Sequence, residues 1–293
     1  MGHVVPDLTI NSGALSASFR PDLGGRLTRL THRDYGDVIV PLTDVDFDPL
    51  NWPKAGAFPL FPFHGRLADA SFEHGGRCLQ LQPNPNRGTD AMHGPAHRRP
   101  WDVLKSTSDE TVLTLNYKAD PEWPFEFRAV QRFRICGSRM DIEFELTNQA
   151  GTAVPAGLGW HPYFISFLDN PIRCNATMRR KSSASTDPKD SWERRPLPVE
   201  PLSSYPFTEH LSDWSETSIA SGRGKVEITR HEGFPFVVIH RTPNYTCVEP
   251  VSHEAGALGL PELAREGAGL ATLRPLSTAI GRISISVNSN QSH

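Results

Sequence analysis

The stretch Met140-Asp-Ile-Glu-Phe-Glu-Leu-Thr147 decides the fold class. Met140, Ile142, Phe144 and Leu146 alternate with Asp141, Glu143, Glu145 and Thr147, and a period of two puts the apolar set on one face of a strand and the polar set on the other. One buried and one wet face is the signature of an antiparallel sheet covered on one side. Immediately upstream, Phe125, Phe127, Ala129, Phe133 and Ile135 lead to Gly137-Ser138, so the two segments are expected to form a hairpin turning at that dipeptide. Leu113, Leu115 and Tyr117 repeat the period. Further strands are expected at Leu15–Phe19, Arg26–Thr31, Arg77–Gln82, Ile172–Met178, Lys225–Arg230, Phe234–His240 and Arg282–Val287. Helical signal is confined to one or two turns within Leu258–Glu266, and the 26 prolines and 23 glycines fall largely between strand candidates. The chain reads as all-β. Sandwiches and barrels often exceed the usual domain size, so residues 1–293 are expected to form one domain.

Composition narrows the function. A formal net charge of −3, with 38% hydrophobic and 22% charged residues, describes an ordinary globular protein and argues against a nucleic-acid partner, which calls for a basic face. The tight basic run Arg179-Arg180-Lys181, followed by Ser182–Thr186, reads as a solvated loop. Asp187–Tyr205, rich in proline and charge, reads as a surface excursion. The N-terminal residues lack the features of a secretory signal and no apolar run reaches membrane-spanning length, so no membrane partner and a cytoplasmic location are expected. Cys78, Cys136, Cys174 and Cys247 have no metal-type spacing and are expected to be small buried hydrophobes.

Several polar and aromatic clusters interrupt the alternation. In Gly157-Leu-Gly-Trp-His161-Pro-Tyr-Phe164, Pro162 pushes His161 toward an extended conformation, so its imidazole projects from a strand or strand end. That histidine is either packed in a core or poised for proton transfer. Phe58–Phe63 leads through His64-Gly65 to Arg66, whose guanidinium suits vicinal hydroxyls, a carboxylate or a structural ion pair. His93-Gly94-Pro-Ala-His97-Arg98-Arg99-Pro-Trp101 sets an imidazole at a turn, Asp213-Trp214 pairs a carboxylate with an indole, and Tyr245-Thr-Cys-Val-Glu249-Pro250 ends an apolar run in a carboxylate.

In this order the clusters resemble the aldose 1-epimerase (mutarotase) family and, more broadly, the galactose mutarotase-like superfamily. Phe61-Pro-Phe-His-Gly-Arg66-Leu, His93-Gly94 with Arg99-Pro100-Trp101, Trp160-His161-Pro162-Tyr163 and Val248-Glu249-Pro250 carry the resemblance, with Leu23-Gly-Gly-Arg-Leu-Thr-Arg-Leu30 as the opening glycine pair. It implies a large antiparallel β-sandwich, the galactose mutarotase-like supersandwich with few short helices, holding a small-molecule sugar in an open cleft. It implies interconversion of α and β anomers by ring opening and reclosure, with Glu249 taking the proton of the anomeric hydroxyl and His161 protonating the ring oxygen. His93, Arg66 and Asp213 would hold the sugar, with Trp160 and Tyr163 offering flat apolar faces. Paired proton transfer needs no cofactor and no metal. Gly65 stands where the family often has asparagine, and His97 where members acting on hexose 6-phosphates usually have arginine. Arg98 and Arg99 would point to opposite faces of an extended segment, so a neutral aldose is the expected substrate. A hexose-6-phosphate epimerase and a non-catalytic sugar-binding or sensor protein are the alternatives.

Overall fold

A computed structural model of the chain describes residues 7–43, 47–181, 191–196 and 201–290. The hairpin forms where the alternation places it. Phe127–Cys136 and Arg139–Asn148 pair antiparallel with Cys136 opposite Arg139. Met140, Ile142, Phe144 and Leu146 are buried while Asp141, Glu143, Glu145 and Thr147 are only partly covered. This hairpin sits inside an eight-stranded antiparallel sheet in the order Asp102–Ser106, Glu110–Tyr117, Phe127–Cys136, Arg139–Asn148, Thr278–Ser289, Gly224–Glu232, Glu216–Ser221, Ile172–Cys174.

An eleven-stranded sheet covers its apolar face. At the centre of that sheet, Ala57–Pro59, Trp160–Ile165, Tyr245–Val251, Phe236–Arg241 and Phe207–Ser212 lie side by side, each antiparallel to the next. The two sheets meet through aromatic side chains: Phe19 packs on Phe133 with ring centroids 4.7 Å apart, and Phe144 on Trp160 at 6.2 Å. The result is the large antiparallel sandwich. Truncating a fully buried member such as Phe144 to alanine costs about 3–5 kcal/mol through lost burial and the cavity left behind.

Several expectations change. Ile172–Met178 is not one strand: Ile172–Cys174 joins the eight-stranded sheet and Met178–Arg180 the other, because Asn175 breaks the run by capping the backbone N–H groups of Ser215 and Glu216. The basic run is partly strand rather than loop, with Arg179 paired to Glu193 at 3.0 Å and Arg180 donating to the Ala255 carbonyl. Within Asp187–Tyr205, Trp192–Arg194 forms a strand against Met178–Arg180; residues 187–190 and 197–200 of that stretch, like all of Ser182–Thr186, lie outside the described residues. Leu258–Glu266 holds no α-helix, only 3-10 turns at Ala257–Gly259 and Glu262–Ala264 and a third beginning at Glu266, since Pro261 has no N–H to continue a helix. Cys174 and Cys247 are buried as expected. Cys78 and Cys136 are exposed, the first in the outlying Ser71–His74/Arg77–Gln80 hairpin and the second at the last position of its strand.

Candidate active site

The strands Trp160–Ile165 and Tyr245–Val251 are buried along nearly their whole length, because both faces of the sheet are covered there. Trp160 and Val248 point into the main core between the sheets, while Phe58, Tyr163, Val238, Cys247 and Val251 form a second apolar cluster on the opposite face together with Trp52 and Leu60. Alternation therefore sends Trp160 and His161 to opposite sides. Trp160, expected to face a sugar, is instead fully buried between the sheets.

His161 and Glu249 meet on the second face. Tyr163 pairs with Cys247 and a bridge joins Gly159 to Val251, so the register carries His161 opposite Glu249. His161 Nε2 lies 3.5 Å from Glu249 Oε1, and the side chains are only 10% and 8% exposed. The imidazole packs beside two aromatic rings, Phe58 at 4.9 Å on the neighbouring strand and Tyr163 at 4.8 Å two residues on, both nearly parallel to it. Its Nδ1 is buried without a hydrogen-bond partner. Burial pushes Glu249 up to about 8 and His161 well below its ordinary value, the latter helped by His93, Lys54 and Arg26. Both shifts favour the uncharged forms, a protonated carboxyl and a neutral imidazole.

His93 completes the wall, its ring 5.8 Å from that of His161 and nearly perpendicular to it. The Gly65 N–H donates to His93 Nδ1 at 3.0 Å, which makes Nδ1 the acceptor and leaves the proton on Nε2. Burial, with Arg98, Arg87 and Lys54 nearby, holds His93 neutral, down at about 3. It is a fixed neutral donor. Gly65 presents that N–H from a left-handed backbone at φ 79°, a region open to glycine and tolerated by asparagine, the two residues expected there.

Trp52 and Lys54, outside every motif, and Arg26, from the opening glycine motif but given no role there, also join. Trp52 Nε1–H donates to the Tyr163 hydroxyl at 2.9 Å, and its ring packs against His93 and His97 at 5.4 Å each. Lys54 Nζ sits 4.8 Å from the Trp52 ring centroid, and burial lowers its pKa, with Arg87 and Arg26 adding to the effect. Arg26, fully buried, lies over the Phe58 ring at 4.3 Å with its Nε and one terminal nitrogen unbonded, and burial brings it down to about 9. Neither cation has an acidic partner among the described residues. Trp52 and Lys54 lie in an irregular stretch whose sequence carries no periodic signal.

The remaining expected residues are placed differently. Arg66 pairs with Asp90 and is 70% exposed at the rim, next to the peptide that holds His93. Asp213 adopts a left-handed turn past the end of Phe207–Ser212, where its carboxylate accepts from the Thr177 hydroxyl and its carbonyl from the Thr177 N–H. The structure does not bring it to the His161–Glu249 pair. Arg98 and Arg99 do not project to opposite faces, because Pro95–Arg98 is a 3-10 turn rather than extended chain. Both reach Glu122, at 2.6 and 3.1 Å, and Arg99 also reaches Asp120. His97 is fully buried and accepts from Arg98 at 2.9 Å.

A proton donor and acceptor in contact, walled by flat rings and edged by a neutral histidine, suit exchange of protons with a hydroxylated ring compound. One set of metal-type donors stands out among the described residues: His161, Cys247 and Glu249, whose ligand atoms lie within 4.8 Å of one another.

A family model described as aldose 1-epimerase matches residues 6–183. The uncharacterized protein YphB of Escherichia coli (strain K12) is 23% identical over 259 residues, covering 80% of this chain and 84% of that one. A galactose mutarotase-like protein from Clostridium acetobutylicum superposes with a TM-score of 0.82 at 18% identity, over 96% of this chain and 95% of that one. A GalM/aldose epimerase homologue from C. elegans superposes with a TM-score of 0.78 at 14% identity, over 98% and 99%.

Proposed function

This chain belongs to the aldose 1-epimerase family, and on that premise we propose that it interconverts the α and β anomers of a free aldose. The observation that carries the reading is the His161–Glu249 contact: two proton-transfer groups 3.5 Å apart, buried on the second face of the sheet. A pure binding protein or sugar sensor needs hydroxyl contacts and stacking surfaces but no such pair.

In the proposed cycle the pair works with a single proton. The neutral form, protonated Glu249 with neutral His161, and the ionised form, carboxylate with imidazolium, are tautomers of one state, and burial favours the neutral one. Sugar hydroxyls donating to Glu249 stabilise the carboxylate and move the proton across the contact to His161. Glu249 then takes the proton from the anomeric hydroxyl while His161 gives its own to the ring oxygen, and the C1–ring oxygen bond opens to the aldehyde. Rotation about C1–C2 and reversal of both transfers close the other anomer. Atoms and charge balance without a further reactant. His93 Nε2–H and the Tyr163 hydroxyl, which accepts from Trp52 and keeps its own proton to give, serve as neutral donors to the sugar, with Arg66 at the rim.

Neutral aldoses are favoured because Arg98 and Arg99 are committed to Glu122 and Asp120, and His97 is fully buried. One observation supports a second reading: Lys54 faces the pocket without an acidic partner among the described residues and could receive the phosphate of a hexose 6-phosphate. Two-dimensional NMR exchange spectroscopy across neutral, phosphorylated and acidic aldoses tests both. Catalysed exchange of a neutral hexose, at least tenfold faster than of its 6-phosphate, is expected, a ratio worth about 1.4 kcal/mol of differential transition-state binding. If the phosphate wins by that margin and Lys54→Met erases its advantage, the second reading replaces the first.

A further inference from the structure

The thiol of Cys247 has no part in that cycle, yet it shares the pocket with both groups that do. Cys247 and Glu249 are two residues apart on one strand and so project from the same face, where Cys247 pairs with Tyr163 on one side and His240 on the other. The ligand atoms of His161, Cys247 and Glu249 form a triangle with no side above 4.8 Å, and the His161–Glu249 side is 3.5 Å. A tetrahedral zinc, with Zn–S about 2.3 Å and Zn–N and Zn–O about 2.0–2.2 Å, needs its donors about 3.4–3.6 Å apart. One side already has that length, and the widest closes by side-chain movement on the order of 1 Å.

We propose that a thiophilic divalent cation, with Zn²⁺ the best fit, binds across His161 Nε2, Cys247 Sγ and the Glu249 carboxylate, leaving a fourth position open toward the cleft. Binding releases the thiol proton and the carboxyl proton, and Zn²⁺ with one thiolate, one carboxylate and one neutral imidazole carries no net charge. Burial penalises each of these ions alone, whereas in the assembled cluster the opposite charges offset one another through direct coordination. Without a metal, burial first and Glu249 second hold the Cys247 thiol well above its ordinary range, with Lys54 opposing them, so the ion itself has to drive the thiol proton off. The sulfur, nitrogen and oxygen set selects zinc-like ions over Mg²⁺ or Ca²⁺, which prefer all-oxygen shells. His161 Nδ1 lacks the outer hydrogen bond that usually fixes a metal-bound imidazole, so the site holds its ion reversibly. A bound ion occupies the nitrogen that donates and the carboxylate that accepts, and therefore stops anomer exchange. Only this inhibitory consequence rests on the proposed function; metal binding does not.

Co²⁺ titration of the full chain, read by thiolate-to-cobalt charge transfer in the near ultraviolet, tests the site without reference to activity. Exposed Cys78 and Cys136 are first changed to serine so that they cannot contribute. Saturation at one equivalent, loss of the band in Cys247→Ala and weakening in Glu249→Gln are expected, with Zn²⁺ displacing Co²⁺ and Mg²⁺ failing to. Zn²⁺ should also suppress anomer exchange, with at least ten times more required in Cys247→Ala. No thiolate band in excess Co²⁺, or one that persists in folded Cys247→Ala, overturns the metal site. Equal Zn²⁺ sensitivity of exchange with and without the Cys247 thiol overturns the inhibition. A chain that binds Co²⁺ as described but exchanges no aldose leaves the metal site standing and removes the functional reading.

Discussion

Two polar clusters close to one another in the chain's fold are built on opposite principles. Around Arg98 and Arg99, every charge is answered: Glu122 takes both guanidinium groups, Asp120 takes Arg99 and the Tyr117 hydroxyl, and the Glu122 N–H donates to Asp120 at 2.8 Å. Around His161, Glu249 meets the imidazole only at the long distance of 3.5 Å, and His161 Nδ1 has no partner. A buried polar group without hydrogen bonds costs about 1–3 kcal/mol, more if charged. A closed network stabilises the fold and does nothing else, whereas an open pair draws on stability that the rest of the fold supplies and keeps its bonding capacity for a substrate.

The sharpest way to break this contrast is to neutralise each centre in turn. Glu249→Gln removes the base while keeping its shape, so anomer exchange should fall by about 10² to 10⁴. Thermal stability should hold or rise, because a buried carboxyl that pays for its own desolvation is gone. Glu122→Ala should do the reverse. It leaves Arg98, whose side chain is 8% exposed, without its counter-charge. Breaking a buried pair costs about 3–5 kcal/mol, and partial exposure of Glu122 reduces the expected loss to about 2–3 kcal/mol, measurable by denaturant unfolding. Exchange per folded molecule should stay within about twofold of the unchanged chain, as is usual for substitutions away from a site.

The pH dependence sharpens the same point. Exchange needs the singly protonated pair, so kcat/KM should decline as pH rises through about 8, where Glu249 loses its proton. Stability follows the same group. Its folded pKa lies above the unfolded value, so the folded chain holds the proton more tightly. That contribution is fully present below the unfolded value and is lost as pH rises through about 8. Glu249→Gln should abolish this alkaline loss, seen as a stability gap over the unchanged chain that widens from pH 5 to pH 9. The smallest effect is expected at Asp213, whose carboxylate serves Thr177. Asp213→Asn should leave exchange within about twofold in the NMR assay.

How much of this was legible in the sequence depends on how many faces of a strand are covered. Met140–Thr147 announced itself because one face is wet, and the hairpin, its turn and the antiparallel class followed directly. His161 and Glu249 lie on strands covered on both faces, where alternation vanishes and an apolar run hides which residues face the core and which the site. Trp160 reads as a sugar-facing ring because its flat apolar face suits a pyranose, and no alternation is left on its strand to show that it lies between the sheets. The pairing of Arg98 and Arg99 with Glu122 and Asp120 spans 20 or more residues and depends on a 3-10 turn begun by Pro95, so no local pattern carried it. Trp52, Lys54 and Cys247 gave no signal beyond residue type; only the fold brings them together.

The central claim is that His161 and Glu249 form an acid–base pair for anomer exchange, and one measurement meets it head on. In NMR exchange spectroscopy on an aldose panel, the folded chain should raise α–β interconversion of at least one sugar well above the buffer rate. Glu249→Gln and His161→Asn, each folded and each still binding that sugar, should return it to near the buffer rate. Exchange at the unchanged rate in either variant, or no catalysed exchange of any aldose by the unchanged chain, would contradict the account.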